Sequence, residues 1–306
     1  MLISVIIATH NPAMEPLVRV LAALRVQTLP LWQWELIVVD NCSRPLLRDR
    51  IDLSWHPAGR VIREDRLGLT VARLAGFAEA RTDIAVLVDD DNVLEPDYLA
   101  QVKTIAAQHP NLGVWSGSVV LEFAADAVPP PPAWRANLTE RHVLRDAISS
   151  NRYDHESTPW GAGLCVRREA FTAYARELVH NPLRRELDLH GQSLLYGGDT
   201  DIAYVACANG YAKGVFSRLT VLHLIPARRC TPEYLQKSME GHAYSSVMHE
   251  FILSSTVPPY FTNPVWLARQ WLRRLFMPLP ERVQATCHAR GVARAVRNIR
   301  MLQQPR

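Results

Sequence analysis

Three consecutive carboxylates, Asp89-Asp90-Asp91, close the apolar run Ile84-Ala85-Val86-Leu87-Val88 and precede Asn92. A short apolar run bounded by polar residues suits an interior strand. Like charges crowded at its end repel one another and cost stability unless a cation sits among them. In an open α/β sheet, that end of the strands is where ligands bind. Hard divalent cations take carboxylate oxygens, and Mg²⁺ is usually shared with substrate phosphates. The chemistry these residues suit is a metal–diphosphate site. The plainer alternative is an acidic strand-to-loop turn, since Asp and Asn are turn formers.

Two further strand ends are polar in the same way: Thr9-His10-Asn11 and Asp40-Asn41. A nucleotide lying across the three ends would use Asp40 to accept an N–H from the base. Asp89 would face the ribose, and Asp91 would hold the metal that bridges the phosphates. Arg73, just after Gly68-Leu69-Thr70, would neutralise phosphate. Taken singly, Asp40 reads as a helix cap and Arg73 as a surface charge. It is their placement on one side of a sheet that makes a site. The chain has no G-x-x-x-x-G-K-[ST], which excludes a P-loop NTPase, and no G-x-G-x-x-G after the first strand, which argues against a dinucleotide-binding Rossmann protein.

The elements that must position these residues follow from periodicity. Positions 2–9, 35–40, 60–63 and 84–88 read as strands. Leu17, Val20, Leu21 and Leu24 behind Pro16 have helical spacing, as do Val71, Leu74, Ala75 and Ala78 within 70–81. A helix from Pro96 to about Gln108 follows. This β-α alternation implies a parallel, doubly wound sheet. After 112 the pattern changes. A long strand at 112–123 leads to the extended loop of Pro129–Pro132, and a glycine-containing loop enters a strand at 159–167. A helix at 168–178, the Gly197-Gly198 turn and a helix at 200–209 stopped by Gly210 come next, with strands at 212–216 and 219–223. Beyond Pro226 the chain reads as helical: 232–251, a break at Pro258-Pro259, and two basic helices.

Five strings fall in a telling order: Ser4-Val5-Ile6-Ile7-Ala8-Thr9, Val38-Val39-Asp40-Asn41-Cys42-Ser43, Gly68-Leu69-Thr70-Val71-Ala72-Arg73, Leu87-Val88-Asp89-Asp90-Asp91-Asn92 and Gly197-Gly198-Asp199-Thr200-Asp201. In order and spacing they resemble family-2 glycosyltransferases of the GT-A fold, over residues 1–225. The resemblance implies an α/β GT-A domain: a Rossmann-like doubly wound mixed sheet with helices on both faces. Residues 1–115 would form its nucleotide-sugar-binding half and 116–225 its acceptor-binding half, with a basic helical extension at 226–306. It also implies an inverting, metal-dependent transfer (Mn²⁺ or Mg²⁺) from a nucleoside diphosphate sugar, UDP-linked, to a hydroxyl of a glycan or lipid-linked acceptor in polysaccharide biosynthesis.

Residue by residue, Asp40 matches the base-reading Asp, and Asp89 and Asp91 match the two ends of the D-x-D motif, with Asp91 the direct metal ligand. Thr9, Asn11, Arg73 and Asp90 join the donor site. Asp199 matches the catalytic base of a Glu-Asp pair. Gly198 stands where that Glu is usual, and Asp201 lies close by as a second candidate. Leu74 stands where the Ala-Arg-Asn pattern has Asn. His223 ends the last strand, where such enzymes often place a His on the metal or the diphosphate; a structural strand-end His is the alternative. Arg228 and Arg229 would clamp phosphate, and Trp160, Gly161 and Gly163 would face the acceptor. Two rival readings are a non-catalytic nucleotide-sugar-binding protein, which the Gly198 departure allows, and a sugar nucleotidyltransferase. The latter needs a glycine-rich signature with Arg after the first strand, which His10-Asn11-Pro12-Ala13 does not supply.

Composition adds bounds. Apolar content of 48% and charged content of 21% are ordinary for a soluble globular protein. The five cysteines are scattered without C-x-x-C spacing, so neither a zinc site nor a disulfide framework is expected, and a reducing cytosol is the simplest home. The apolar N-terminus lacks a basic n-region, and no stretch approaches the roughly 18 apolar residues of a membrane span. Net charge is +4, yet residues 264–306 hold nine arginines against one acid, Glu281. Such a tail implies an anionic partner or a solvated basic face. Trp266, Leu267, Trp271, Leu272, Leu275 and Phe276 alternate there with Arg269, Arg273 and Arg274. That is the pattern of an amphipathic helix lying on an anionic membrane, or of one packed on its own domain. No nucleic acid partner is expected. The location expected is cytoplasmic, or peripheral on the inner face of the cytoplasmic membrane.

Overall fold

The computed structural model describes residues 2–187, 195–257, 261 and 263–303, except for the side chains of Glu186, Trp266, Leu267 and Gln270. The expected break at Pro258-Pro259 and the Trp266/Leu267 pair lie outside the described residues and side chains. The chain divides into two compact units. The first comprises 1–122, 139–180 and 199–225; the second comprises 123–138, 181–198 and 226–306. Thus 123–138 and 181–198, which the motif pattern places with the sheet, group with the C-terminal helices.

In the first unit, β1 (Ile3–Thr9), β2 (Trp34–Asn41), β3 (Gly59–Glu64) and β4 (Ile84–Val88) are parallel neighbours. Between them run α1 (Met14–Arg25) and α2 (Leu69–Glu79). Then come β5 (Asn92–Leu94), α3 (Tyr98–Gln108), β6 (Leu112–Phe123), β7 (Ala147–Ser149), β8 (Leu164–Arg167), α5 (Arg168–His180), α6 (Gly198–Ala208) and β9 (Ala212–Ile225). The strand order is β3-β2-β1-β4-β8-β6-β9-β5, with β7 also on β9. The sheet is parallel through β4 and turns antiparallel at β8, as a mixed sheet requires.

Alternation along the strands divides the core. Ile3, Val5 and Ile7 of β1 pack with Leu36 and Val38 of β2 against Leu17, Val20 and Leu24 of α1 and Leu99, Val102 and Ile105 of α3. The opposite face meets α2, where Gly76 lies so close to Ile6 and Val39 that a Cβ there would come within 2.5 Å of Ile6 Cγ2. α5 is tied to α2 through Phe171, stacked on Phe77 at 3.7 Å. Helices therefore cover both faces, which explains why β2 and β4 are buried along their whole length.

Two departures from the sequence pattern matter. The strands expected at 212–216 and 219–223 are one strand, β9. The polar Ser217 and Arg218 separate the two expected strands, but they are exposed positions of a continuous strand, and Ser217 N–H donates to Asp146 Oδ1 at 2.8 Å. β5 was not legible: it is three residues long, directly behind the acidic run. It pairs antiparallel with β9, placing Asn92 opposite His223.

In the second unit, α7 (Pro232–Ser254) is capped by the Thr231 hydroxyl, which accepts the Tyr234 N–H. α9 (Leu279–Leu302) packs on α7 through Val292, Ala295, Val296 and Ile299 against Ala243, Tyr244, Val247 and Met248. The short α4 (Pro132–Arg135) follows the proline run, and Trp134 Nε1 donates to Pro280 O at 3.1 Å. α8 (Pro264–Leu275) precedes α9. Among the described residues, no helix is long and apolar enough to cross a membrane.

Candidate active site

The parallel strands β1 to β4 deliver their C-terminal ends to one edge, and the register fixes which residues meet there. Ile7 pairs with Val88, so Thr9 falls opposite Asp90, and its hydroxyl donates to Asp90 Oδ2. Thr9 also pairs with Asp40, and Asp40 with Arg63. Loops are stitched across this edge. Asn11, at φ 47°, donates its N–H to Ser43 Oγ at 2.9 Å and accepts the Arg44 N–H at 2.8 Å. His10 Nδ1 lies 2.6 Å from Asn41 O.

Asp40 is buried. Its carboxylate accepts N–H groups from Ser43 at 2.9 Å and Leu47 at 3.0 Å and meets Arg63 at 2.8 Å. Burial alone would raise its pKa, but these donors outweigh burial and hold the carboxyl below its ordinary value. Asp40 thus shapes the loop after β2. Asn41 does the same toward the next loop, accepting Gly68 N–H at 2.8 Å and donating to Glu64 O and Arg66 O.

Arg73 is buried on α2 and points to Asp89, 3.4 Å away. Asp91 is buried. Its Oδ1 accepts from Asn92 Nδ2 at 2.9 Å, and its Oδ2 lies 3.5 Å from His223 Nε2. Its backbone carbonyl accepts the Leu224 N–H at 2.9 Å. The β5–β9 pairing is what brings this His to the acidic triplet.

Asp199 and Asp201 both fall in the first turn of α6. Residues two apart on a helix do not share a face. Asp201 is wholly buried, whereas Asp199 is partly exposed beside the glycine loop. A Cβ built at Gly161 would stand 3.2 Å from Asp199 Oδ2. Gly163 takes φ +67° and accepts the Tyr98 hydroxyl at its carbonyl, at 2.7 Å. Trp160, half-buried, lies under Arg141, whose guanidinium carbon is 4.9 Å from the ring centroid.

Residues 4–174, more than half of the chain, match the family model described as Glycosyl transferase family 2. The chain belongs to that family. Among solved structures it is similar to S. aureus TarS 1-349, at 16% identity, with 99% of this chain and 83% of that chain covered and a TM-score of 0.54. The same protein in complex with UDP-GlcNAc gives 16% identity, coverage of 99% and 84%, and a TM-score of 0.51. An uncharacterized protein of Sinorhizobium fredii (strain NBRC 101917 / NGR234), y4gI, is 31% identical over 114 residues, 36% of this chain but only 12% of that protein.

For a family-2 glycosyltransferase, the matched stretch takes in Thr9, Asn11, Asp40, Arg73 and Asp89 to Asp91 but ends before Asp199 and His223. Among the described residues, no group of three His, Cys, Asp or Glu is placed to hold a metal ion. A divalent cation shared with substrate phosphates commonly takes only one or two protein ligands. Asp91 with His223 fits that pattern, so any metal here would complete its shell from the diphosphate and water. Arg228 and Arg229 belong to the second unit.

Two cations, one buried and one half-buried, went unread in the sequence. Lys213, with no exposure, donates Nζ to Arg152 O at 3.0 Å, Asp154 O at 2.6 Å and the Thr158 hydroxyl. Burial pushes its pKa down. Arg141 donates to Thr158 O at 2.5 Å and Glu156 O at 2.8 Å. Together they fix the loop that leads into Trp160 and Gly161. A signal was present for the first: Lys213 interrupts the apolar run Ala212 to Phe216.

Proposed function

We propose that this glycosyltransferase moves a sugar, with inversion, from a nucleoside diphosphate sugar to a hydroxyl of a glycan or lipid-linked acceptor in polysaccharide biosynthesis. The observation that carries the reading is the meeting of Asp91 and His223 at the C-terminal edge of the parallel strands. Asp91 and His223 would hold a divalent cation, Mn²⁺ or Mg²⁺, whose charge offsets that of the leaving diphosphate. Thr9, Asn11, Asp40 and Asp90 build the edge on which the nucleoside would lie. Arg73 balances Asp89 from below. The solved neighbour's ligand, UDP-GlcNAc, supports a UDP-linked donor as the first to try.

Asp199 is the residue we assign as base. An acceptor hydroxyl has a very high pKa, so a carboxylate must take its proton as the new bond forms. Asp199 is partly exposed and flanked by Gly161, which leaves room for that hydroxyl, whereas Asp201 is sealed from solvent. Direct displacement inverts the anomeric centre when the base sits opposite the leaving group. Trp160, braced by Arg141, offers an aromatic face to an acceptor sugar.

The test is release of nucleoside diphosphate from a panel of UDP- and GDP-sugars with Mn²⁺, with and without glycan acceptors. One donor should be turned over slowly alone and faster with its acceptor. Metal-dependent donor binding with no release from any donor, alone or with acceptors, would favour a non-catalytic nucleotide-sugar-binding protein.

A further inference from the structure

α8 turns an apolar face outward. Val265, Trp271, Leu272 and Leu275 are exposed, as are Phe276 (88%), in the turn after the helix, and Leu279, the first residue of α9. Within α8, at 100° per residue, Val265, Leu272 and Leu275 share one arc, with Trp271 at its edge. Arg269 and Arg273 flank that arc and are exposed. Isolated exposed apolar residues are ordinary, but a contiguous set on one helix face marks a contact surface. Among the described side chains of α8, all but the half-buried Arg274 are exposed, the apolar arc with them.

We propose that this face docks on an anionic lipid surface, with the aromatic and aliphatic side chains at the acyl boundary and the arginines among the headgroups. Charge complementarity selects this occupant. Residues 264–306 carry nine arginines against Glu281 alone. A second copy seated by two-fold symmetry would set one arginine-flanked face against another, and like charges repel. An anionic bilayer supplies both the apolar layer and the opposite charge that such a helix needs. The inference stands apart from the transfer reaction, so its failure would leave that reading intact.

Flotation of the full chain with vesicles of phosphatidylcholine, alone or mixed with phosphatidylglycerol, tests it. The chain should bind the anionic vesicles at low salt at least about tenfold more tightly than the neutral ones, and salt should weaken the binding. Leu272→Glu with Phe276→Glu changes exposed side chains, so helicity should persist while vesicle binding is lost. Arg269→Glu with Arg273→Glu should weaken binding by at least about tenfold, since each arginine near an anionic surface contributes about fivefold. Absence of binding to anionic vesicles overturns the proposal, as does binding that Leu272→Glu with Phe276→Glu leaves unchanged. Self-association abolished by those substitutions, with no vesicle binding, would assign the face to a second copy instead.

Discussion

His223 Nε2 lies 3.5 Å from Asp91 Oδ2, although 132 residues (223 − 91) separate them in the chain. The antiparallel pairing of β5 with β9 sets Asn92 against His223 and so holds the imidazole beside the carboxylate. If the pair binds a cation with the donor diphosphate, His223→Ala should weaken metal-dependent nucleoside diphosphate binding roughly 10- to 100-fold, the range seen when a metal site loses a supporting group. Calorimetric titration checks this. Unchanged affinity would make His223 a structural strand-end residue.

Asp199→Asn keeps shape and removes basicity. It should leave donor binding nearly unchanged and lower kcat by at least about 10²-fold. Asp201→Asn acts on a sealed carboxylate and should show in thermal stability before it shows in kcat. A kcat collapse confined to Asp201→Asn, with Asp199→Asn active, would move the base by two residues.

The loop before Trp160 hangs on the buried Lys213 and the half-buried Arg141. Lys213→Met removes the donor that serves Arg152 O, Asp154 O and the Thr158 hydroxyl. A buried acceptor left without a donor costs about 1–3 kcal/mol. Denaturant unfolding should show that loss, and acceptor KM should rise more than donor KM. Full stability in the variant would mean that water satisfies the loop.

Glu35 lies at the other end of the strands from the site. Its carboxylate accepts from Ser4 at 2.6 Å, from Arg81 N–H at 2.7 Å and from Arg60 at 2.8 Å. Burial pushes its pKa up, but the three donors together hold it below its ordinary value. A depressed folded-state pKa contributes stability above the unfolded value, and that contribution is lost as pH falls through the folded value. Glu35→Gln should therefore lower Tm at neutral pH, with the gap to the parent narrowing once pH drops below the usual carboxylate range. A gap independent of pH would assign the loss to packing alone.

The parallel half of the sheet was legible because its strands are buried on both faces, which leaves apolar runs punctuated by helical periodicity. Asp89 to Asp91 stood out because a carboxylate cluster has no place at the end of a buried strand without a partner. The partner His223 follows from the family resemblance, but the strand pairing that joins the two has no local signal. His223 reaches Asp91 through β5, whose three residues are too few to show a period, and β9 was split in two by the exposed Ser217 and Arg218. Asp40 reads as ligand-facing from its place among the polar strand ends and from the family resemblance, while its fixed neighbours Ser43, Leu47 and Arg63 come from loop geometry that no spacing encodes. The grouping of 123–138 and 181–198 with the C-terminal helices was hidden for the same reason: long-range packing leaves no local pattern.

In the proposed reaction Asp91 would anchor a nucleoside diphosphate through a divalent cation. Titration of UDP into the parent protein and into Asp91→Ala, each with Mn²⁺ and with excess chelator, addresses it most directly. Tight binding is expected only for the parent with Mn²⁺, and weak binding, nearly indifferent to chelator, for Asp91→Ala. Equal affinity of the parent with and without chelator, or an Asp91→Ala protein that keeps the full Mn²⁺-dependent affinity, would contradict it.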